Sequence, residues 1–144
     1  MPTANTSYPY ATFRFRVEID GITVARFSEV SGLMVETETE QYEEGGVNDF
    51  VHYLPKRTKY QHIILKRGLT DVDELWQWYQ DVVAGRFQRK NGAIVLMDSS
   101  GEDALRWNFS NAYPVKWTGP DLRADSNTVA FETIEIVHHG IQKG

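Results

Sequence analysis

Strict alternation of apolar and polar residues begins at residue 12. Every second position up to residue 19 is apolar, which places on one face of a strand Phe13, Phe15, Val17 and Ile19. Asp20-Gly21 is a strong hairpin signal and predicts a second strand at 22–27. Similar patterns predict further strands at 33–42, 47–54, 60–67, 94–97, 105–109, 115–117 and 128–138. We expect Pro55 to end the strand at 47–54, and residues 111–114 to form a turn.

One segment changes from strand to helical periodicity. Between residues 70 and 84 the apolar positions recur at helical spacing, at Val72, Leu75, Trp76, Tyr79, Val82 and Val83. Thr70 with Asp73 resembles a capping box, and Gly85 is a natural stop. The pattern predicts a helix at about residues 70–84, with Trp76 in its apolar stripe and Trp78 at the edge of that stripe.

A single helix among seven or eight strands predicts a mainly β fold. The expected architecture is a small antiparallel β-barrel or sandwich with one flanking helix. Residues 1–11 are polar, contain two prolines and show no periodicity, so we expect an extended N-terminal arm. The length of 144 residues suits one domain, which would span residues 12–144.

Composition narrows the class of protein. The 41% apolar and 24% charged fractions are typical of a globular protein. Twenty acidic against fifteen basic residues give a net charge of −5, which argues against a nucleic-acid-binding domain. The absence of cysteine excludes disulfides, thiolate metal sites and a cysteine nucleophile. No apolar run approaches the roughly 18–20 residues of a membrane span, and we see no secretory signal in the first ten residues.

No motif in the chain predicts catalysis, a cofactor or a metal. Adjacent residues on a strand point to opposite faces, so His138 and His139 cannot chelate one ion together there. His52 and His62 lie on separate segments without a metal-ligand spacing. The pair Gly45-Gly46 lacks the Gly-Lys-Ser/Thr of a phosphate loop. We therefore expect no catalytic residue, no cofactor and no metal.

The order of charges along the chain is more informative than their sum. Residues 28–54 contain no lysine or arginine, and their acids are Glu29, Glu36, Glu38, Glu40, Glu43, Glu44 and Asp49. Residues 50–70 contain no further acid, and their bases are Lys56, Arg57, Lys59, Lys66 and Arg67. These segments neutralise each other within one subunit, are simply solvated faces, or form acidic and basic surfaces that meet between copies. Head-to-tail contacts between such surfaces generate rings and filaments.

Within the acidic stretch, three glutamates fall on one face of a strand. Glu36, Glu38 and Glu40 are spaced by two residues and cannot face an apolar core. They must face water. The water could be that of an outer surface or of a channel shared between copies.

An ordered set of motifs covering roughly residues 10–140 resembles the tail-tube proteins of contractile phages and contractile injection systems. The matching segments are Phe27–Leu33, Glu36, Tyr42–Asn48, Leu65–Gly68, Trp76, Trp78, Asn111–Trp117 and Asn127–His139 with Glu132. No single motif is a chemical signature, but their order is specific.

The resemblance implies a structural protein. Family members form a small β-barrel with one helix, assemble into hexameric rings and stack into a hollow tube within a contractile sheath. The expected partners are further copies of the chain, the sheath protein, baseplate and tube-terminating proteins, and a DNA or protein cargo that passes through the lumen without specific binding. The subunit would be made in the bacterial cytoplasm and assembled into a phage tail or injection particle, without inserting into a membrane.

The resemblance also assigns roles to residues. The loop that reaches a neighbouring ring in such tubes corresponds to residues 43–57, and the candidates for this contact are Glu43, Glu44, Gly45, Gly46, Asn48, Asp49, Lys56, Arg57 and Lys59. Glu36, Glu38 and Glu40 would line the lumen or an inter-ring surface.

Two other functions fit parts of the sequence. A tube-like baseplate adaptor of the same machine shares the barrel, although adaptors usually carry extra insertions. A soluble β-barrel that binds a small ligand or carbohydrate could use the four tryptophans and seven tyrosines as a stacking surface. The position of the tryptophans in helix and strand patterns makes core packing the better explanation.

Overall fold

The computed structural model describes residues 9–12, 14–22, 27–42, 52–86 and 88–144. Along the chain the elements are β1 (Phe15–Ile19), β2 (Phe27–Ser31), β3 (Val35–Tyr42), β4 (His52–Tyr60), β5 (Ile63–Gly68), α1 (Glu74–Val83), β6 (Lys90–Met97), β7 (Asp103–Thr118), β8 (Phe131–Val137) and β9 (Ile141–Lys143). This confirms the mainly β fold with one flanking helix. Phe13 and parts of the expected strands at 22–27 and 47–54 lie outside the described residues.

Seven of the strands form one antiparallel sheet that folds around the core. Its order is β1-β6-β7-β8-β5-β2, with β9 added along β7. Burial alternates from one residue to the next along β1, β5 and β8, which is why their hydrophobic pattern had a period of two. The buried core includes Val17, Ile63, Leu65, Ile94, Phe109, Ile134 and Ile136.

Strand β7 corrects one prediction. The expected strands at 105–109 and 115–117, with a turn between them, are a single 16-residue strand, Asp103–Thr118. Its first half pairs with β6 and its second half with β8. Asn111 takes a positive φ of 54°, and the pairing register shifts near Pro114. These irregularities let the strand bend between the two halves of the sheet without leaving it.

The helix is shorter than predicted and uses a different tryptophan. It begins at Glu74 rather than near residue 70, and Asp73 at its N-cap makes no side-chain capping bond. The Thr70 hydroxyl instead accepts a hydrogen bond from the Val72 amide at 3.2 Å, so the expected capping box is wrong. Trp78 is only 3% exposed whereas Trp76 is 38% exposed, so their expected positions are reversed. Gly85, at φ +75°, follows the C-cap as expected.

Strands β3 and β4 form a separate two-stranded sheet, which we call the ribbon. Strand β4 continues through Pro55, which was expected to end it. Pro55 lies opposite Thr39 beside a break in register, in a strand whose only described neighbour is β3. Proline is tolerated at such an edge because its missing N–H leaves no ladder partner unsatisfied.

An ion-pair network covers the outer face of β1, β6 and β7. Val95 is fully buried beneath it, between its register partners Arg16 and Arg106. Arg106 donates to Glu18 at 3.0 Å, and Arg16 donates to Glu18 at 2.9 Å and to Asp103 at 2.8 Å. Hydrogen bonds from Arg106 and then Arg16 lower the pKa of Glu18, and the bond from Arg16 lowers the pKa of Asp103.

These pKa shifts predict that stability falls in acid. A carboxylate with a lowered folded-state pKa stabilises the fold above its unfolded pKa of about 4, and that contribution is lost as the pH falls through the folded-state value. We expect Asp103→Asn to lower the melting temperature at about pH 7, and the gap to the wild type to narrow as the pH falls below about 4. Thermal unfolding followed by circular dichroism across this range measures the difference. A gap that does not shrink on acidification would contradict the assignment.

Candidate assembly surface

The ribbon is the most exposed regular element among the described residues. Every residue of β3 and β4 is exposed except Glu38, His52 and Tyr60, which are half-buried. The exposed side chains include large apolar ones, with Tyr53 at 64% and Val35 at 59%. A two-stranded sheet without a covering layer is marginally stable in water. No other layer covers the ribbon within the described chain.

Strand β4 contains one extra residue opposite Glu38. From Thr37 to Thr39 the chain advances two residues on β3, while their register partners, Thr58 and Pro55, are three residues apart on β4. This is a β-bulge, in which two residues of one strand oppose one of the other. Lys56 and Arg57 are the two residues that oppose Glu38.

The three predicted glutamates share one face of β3, together with cross-strand cations. Glu36 lies opposite Lys59, and the Lys59 ammonium contacts the Glu38 carboxylate at 3.2 Å. Glu40 lies opposite Leu54, and Tyr42 lies opposite His52, nearer the end of the ribbon. We call this the charged face. Direct cross-strand pairing of opposite charges stabilises it by a few tenths of a kcal/mol to about 1 kcal/mol per pair.

The structure places the acidic and basic segments side by side. Lys56, Arg57 and Lys59 lie on the strand that pairs with Glu36, Glu38 and Glu40, and Lys66 approaches Glu29 at 3.9 Å. The fold thus favours neutralisation within one subunit over separate acidic and basic surfaces for these residues. The other predicted contact residues lie outside the described residues: Glu43, Glu44, Gly45, Gly46, Asn48 and Asp49.

The register pairs on the opposite face of the ribbon are uncharged, and sequence reasoning missed them. We call this the uncharged face, and its members are Val35, Thr37, Thr39, Gln41, Tyr53, Pro55, Thr58 and Tyr60. The Thr37 and Thr58 hydroxyls bond each other at 2.9 Å. The sequence does show this face, because the odd-numbered positions of β3 are all uncharged and alternate with the glutamates.

The tryptophans do not form a ligand-stacking platform. Trp78 is buried and donates to the Gln88 carbonyl at 3.2 Å, and Trp107 packs against the core. Trp76 stacks edge-on against Trp117, with ring centroids 4.7 Å apart. Trp117 in turn donates to Glu132 at 3.2 Å. Each of the four tryptophan rings is thus engaged by the fold, which disfavours a carbohydrate-binding surface built on them.

An open groove lies at the root of the ribbon. It has a volume of about 510 Å³, is open to solvent, and is lined by Met34, Glu36, Lys59, Tyr60, Gln61, His62, Ile64 and Glu135. His62 and Glu135 contact each other at 2.7 Å. Within the described ranges no three histidine, aspartate or glutamate side chains converge on a point where they could hold a metal ion. The helix of the described chain is not long and apolar enough to cross a membrane.

Solved structures with this fold come from contractile injection machines. A chain in the anti-feeding prophage baseplate superposes with a TM-score of 0.87 at 28% identity, over 96% of this chain and 97% of that one. A chain in the PVC extracellular contractile injection system, in its extended sheath–tube complex, gives a TM-score of 0.85 at 28% identity over 96% and 93% of the two chains. A chain in the sheath/tube terminator of the same system gives a TM-score of 0.85 at 29% identity, over 95% of this chain and 97% of that one.

The sequence itself gives the family. Curated protein sequences contain no significant match to this chain. The family model for the T4-like virus tail tube protein gp19, however, matches residues 11–142, nearly the whole length. The chain therefore belongs to the T4-like virus tail tube protein gp19 family.

Proposed function

We propose that the chain is the repeating subunit of the inner tube of a contractile injection machine. Six copies form a ring, and rings stack around a lumen that conducts cargo. Family membership over residues 11–142 supports this role, as does the likeness to chains in sheath–tube, baseplate and terminator complexes. The role is structural and uses no catalytic residue.

The exposed ribbon is the observation that carries the proposal. A subunit that acted alone would leave Val35 and Tyr53 more than half exposed on an uncovered two-stranded sheet. In a ring or a stack of rings, neighbouring copies cover such a surface. Oligomerisation also resolves the open edges β1 and β2, which are not paired with each other among the described residues.

The ribbon and its connecting segment are the proposed inter-subunit contact. This assigns the contact to Lys56, Arg57 and Lys59 on β4, together with the segment that includes Glu43, Glu44, Gly45, Gly46, Asn48 and Asp49. The N-terminal arm at residues 1–11 is a second proposed contact. Glu36, Glu38 and Glu40 face the lumen or another water-filled surface.

The remaining partners follow from the assemblies in which similar chains occur. The sheath protein surrounds the tube, and baseplate and terminating proteins close its two ends. DNA or a protein effector passes through the lumen without a specific binding site. The subunit is made in the bacterial cytoplasm and works as part of a phage tail or injection particle.

The mass of the assembled species tests this function. We expect the purified 16.5 kDa chain to form hexamers and larger particles as its concentration rises, because ring contacts between copies obey mass action. Analytical ultracentrifugation and native mass spectrometry measure these species. A monomer that persists at high concentration, at low and at high salt, would contradict the proposed function.

A further inference from the structure

The ribbon joins the main sheet through two short connections. Residues 32–34 lead from β2 into β3, and residues 61–62 lead from β4 into β5, and together we call them the root of the ribbon. The Gln61 amide donates to the Met34 carbonyl at 3.2 Å, which ties the two connections to each other. Because no other layer of the described chain covers the ribbon, contacts at the root set its direction relative to the main sheet.

His138 contacts the root from the end of β8. Its Nδ1 accepts a hydrogen bond from the Gly140 amide at 3.1 Å, and its Nε2 lies 3.0 Å from the Gln61 carbonyl oxygen. A backbone N–H is always a donor and a carbonyl oxygen is always an acceptor, so the two bonds together fix the tautomer. His138 is therefore neutral, with its proton on Nε2.

The imidazole ring of His138 is also packed between two aromatic rings. Its centroid lies 5.7 Å from that of Tyr60, the last residue of β4, and 6.4 Å from that of Phe109 in the buried core. The core and the Gly140 bond thus hold the ring in one orientation, and the bond to Gln61 carries that orientation to the root.

A second side-chain contact joins the root to β8. The His62 Nδ1 and the Glu135 carboxylate lie 2.7 Å apart, and their side chains are 47% and 28% exposed. Contacts between such accessible groups contribute little, because water and salt screen them. His138 is half-buried, so its hydrogen bonds are less screened than this pair.

We infer that His138 is a positioning residue that clamps the root and fixes the direction of the ribbon before any assembly. Its Nε2–H holds the Gln61 carbonyl, while Gly140 and the two neighbouring rings hold the imidazole. The clamp is a property of the single subunit and goes beyond the proposed function. Where the ribbon serves as the proposed contact, a direction set in advance reduces the conformational freedom that is lost on binding.

Distances between two spin labels test the clamp in unassembled subunits. The chain has no cysteine, so Gln41→Cys on β3 and Gln77→Cys on α1 place one label on the ribbon and one on the main body. Both positions are exposed. Double electron–electron resonance measures the distribution of the distance at a dilution that keeps the chain monomeric.

Two substitutions of His138 share one loss. His138→Asn can still accept from the Gly140 amide, as asparagine does in turns, but its side chain ends one atom short of the position of Nε2. His138→Phe keeps a ring against Tyr60 and Phe109 and loses both hydrogen bonds. The bond to Gln61 is the one contact of this set that both variants lack. Each should raise the population of displaced ribbons at least roughly fivefold, the factor that corresponds to one net hydrogen bond.

His139→Asn is the matched control. His139 is the neighbouring histidine, and its Nε2 lies 3.4 Å from the Arg89 guanidinium. This variant should keep the distance distribution of the wild type. A wild-type distribution in either His138 variant, or equal broadening in the His139 variant, would overturn the clamp.

The wild-type protein provides a second measurement that does not depend on how a variant folds. Nitrogen NMR of the imidazole at neutral pH should show a bare Nδ1 and a protonated Nε2 for His138, the tautomer that the two bonds require. A proton on Nδ1 would overturn the clamp. Chains that never assemble would refute the proposed function and leave the clamp standing, because both measurements use single subunits.

Discussion

Replacement of Glu132 by alanine is expected to destabilise the subunit by about 3–5 kcal/mol, the cost of leaving a buried charge unpaired. The Glu132 side chain is 1% exposed and the Arg67 side chain 3% exposed, and the two contact each other at 3.4 Å across β5 and β8. Glu132 also accepts the Trp117 indole hydrogen bond at 3.2 Å. Arg67 already has one nitrogen, Nη1, without a partner among the described residues. Denaturant unfolding of the two proteins measures the loss.

The double variant Arg67→Met/Glu132→Leu provides the control. It removes both charges and keeps apolar volume, so most of the lost stability should return. A Glu132→Ala variant within about 1 kcal/mol of the wild type would mean that the pair behaves like a solvent-screened surface ion pair. If the double variant is as unstable as the single one, the loss of unfolding free energy comes from lost packing and not from the unpaired Arg67.

Replacement of Gly32 by alanine is expected to destabilise the subunit by more than about 3 kcal/mol, from a strained backbone and a steric overlap together. Gly32 joins β2 to the ribbon at φ +94°, and an added Cβ would overlap the carbonyl oxygen of His62. His62 lies in the connection from β4 to β5, so the overlap forces apart the two connections that hold the ribbon to the main sheet.

Gly101 offers a matched comparison. It has a similar φ of +88°, and an added Cβ would meet nothing within 4 Å. Gly101→Ala should therefore cost only the left-handed backbone penalty of about 1–2 kcal/mol. Thermal or denaturant unfolding of both variants isolates the steric part as their difference. Equal losses would show that His62 moves aside without cost.

The strands and the helix whose hydrophobic residues recur at a regular spacing were predictable from the sequence. The alternation at 13–19 placed Val17 and Ile19 correctly in the core, and the 3.6-residue period placed the helix to within a few residues. The ends of the helix were less predictable, because Thr70 bonds the Val72 amide outside the helix instead of capping it. The pattern places Trp76 in the apolar stripe and Trp78 at its edge, and only tertiary packing decides which of them is buried.

The irregular features were not predictable from local signals. Pro114 and Asn111 are typical turn residues, yet β7 continues through them because β6 and β8 pair with its two halves. Arg67 belongs to a basic segment that suggested a solvated surface, and its buried partner Glu132 is 65 residues away. The bulge that sets Lys56 and Arg57 opposite Glu38 depends on the register of β3 and β4, which no pattern within one strand specifies.

The sequence and the structure point to the same two strands for the proposed contact surface, but each draws attention to different side chains. The sequence pointed to the ribbon strands through the glutamates on β3 and the cations on β4. It indicated these charges as the contact surface, and the fold shows in addition that Lys59 pairs with Glu38 within the same ribbon. A face made of threonine, valine, glutamine and tyrosine gives little signal until the fold shows that nothing in the described subunit covers it.

End-on electron microscopy of the purified protein tests the central claim most directly. The account predicts hollow particles with sixfold rotational symmetry that stack into tubes of constant diameter. Such images require ring closure, a lumen and ring stacking from this one chain. Monodisperse single subunits, or filaments without a lumen, would contradict the account.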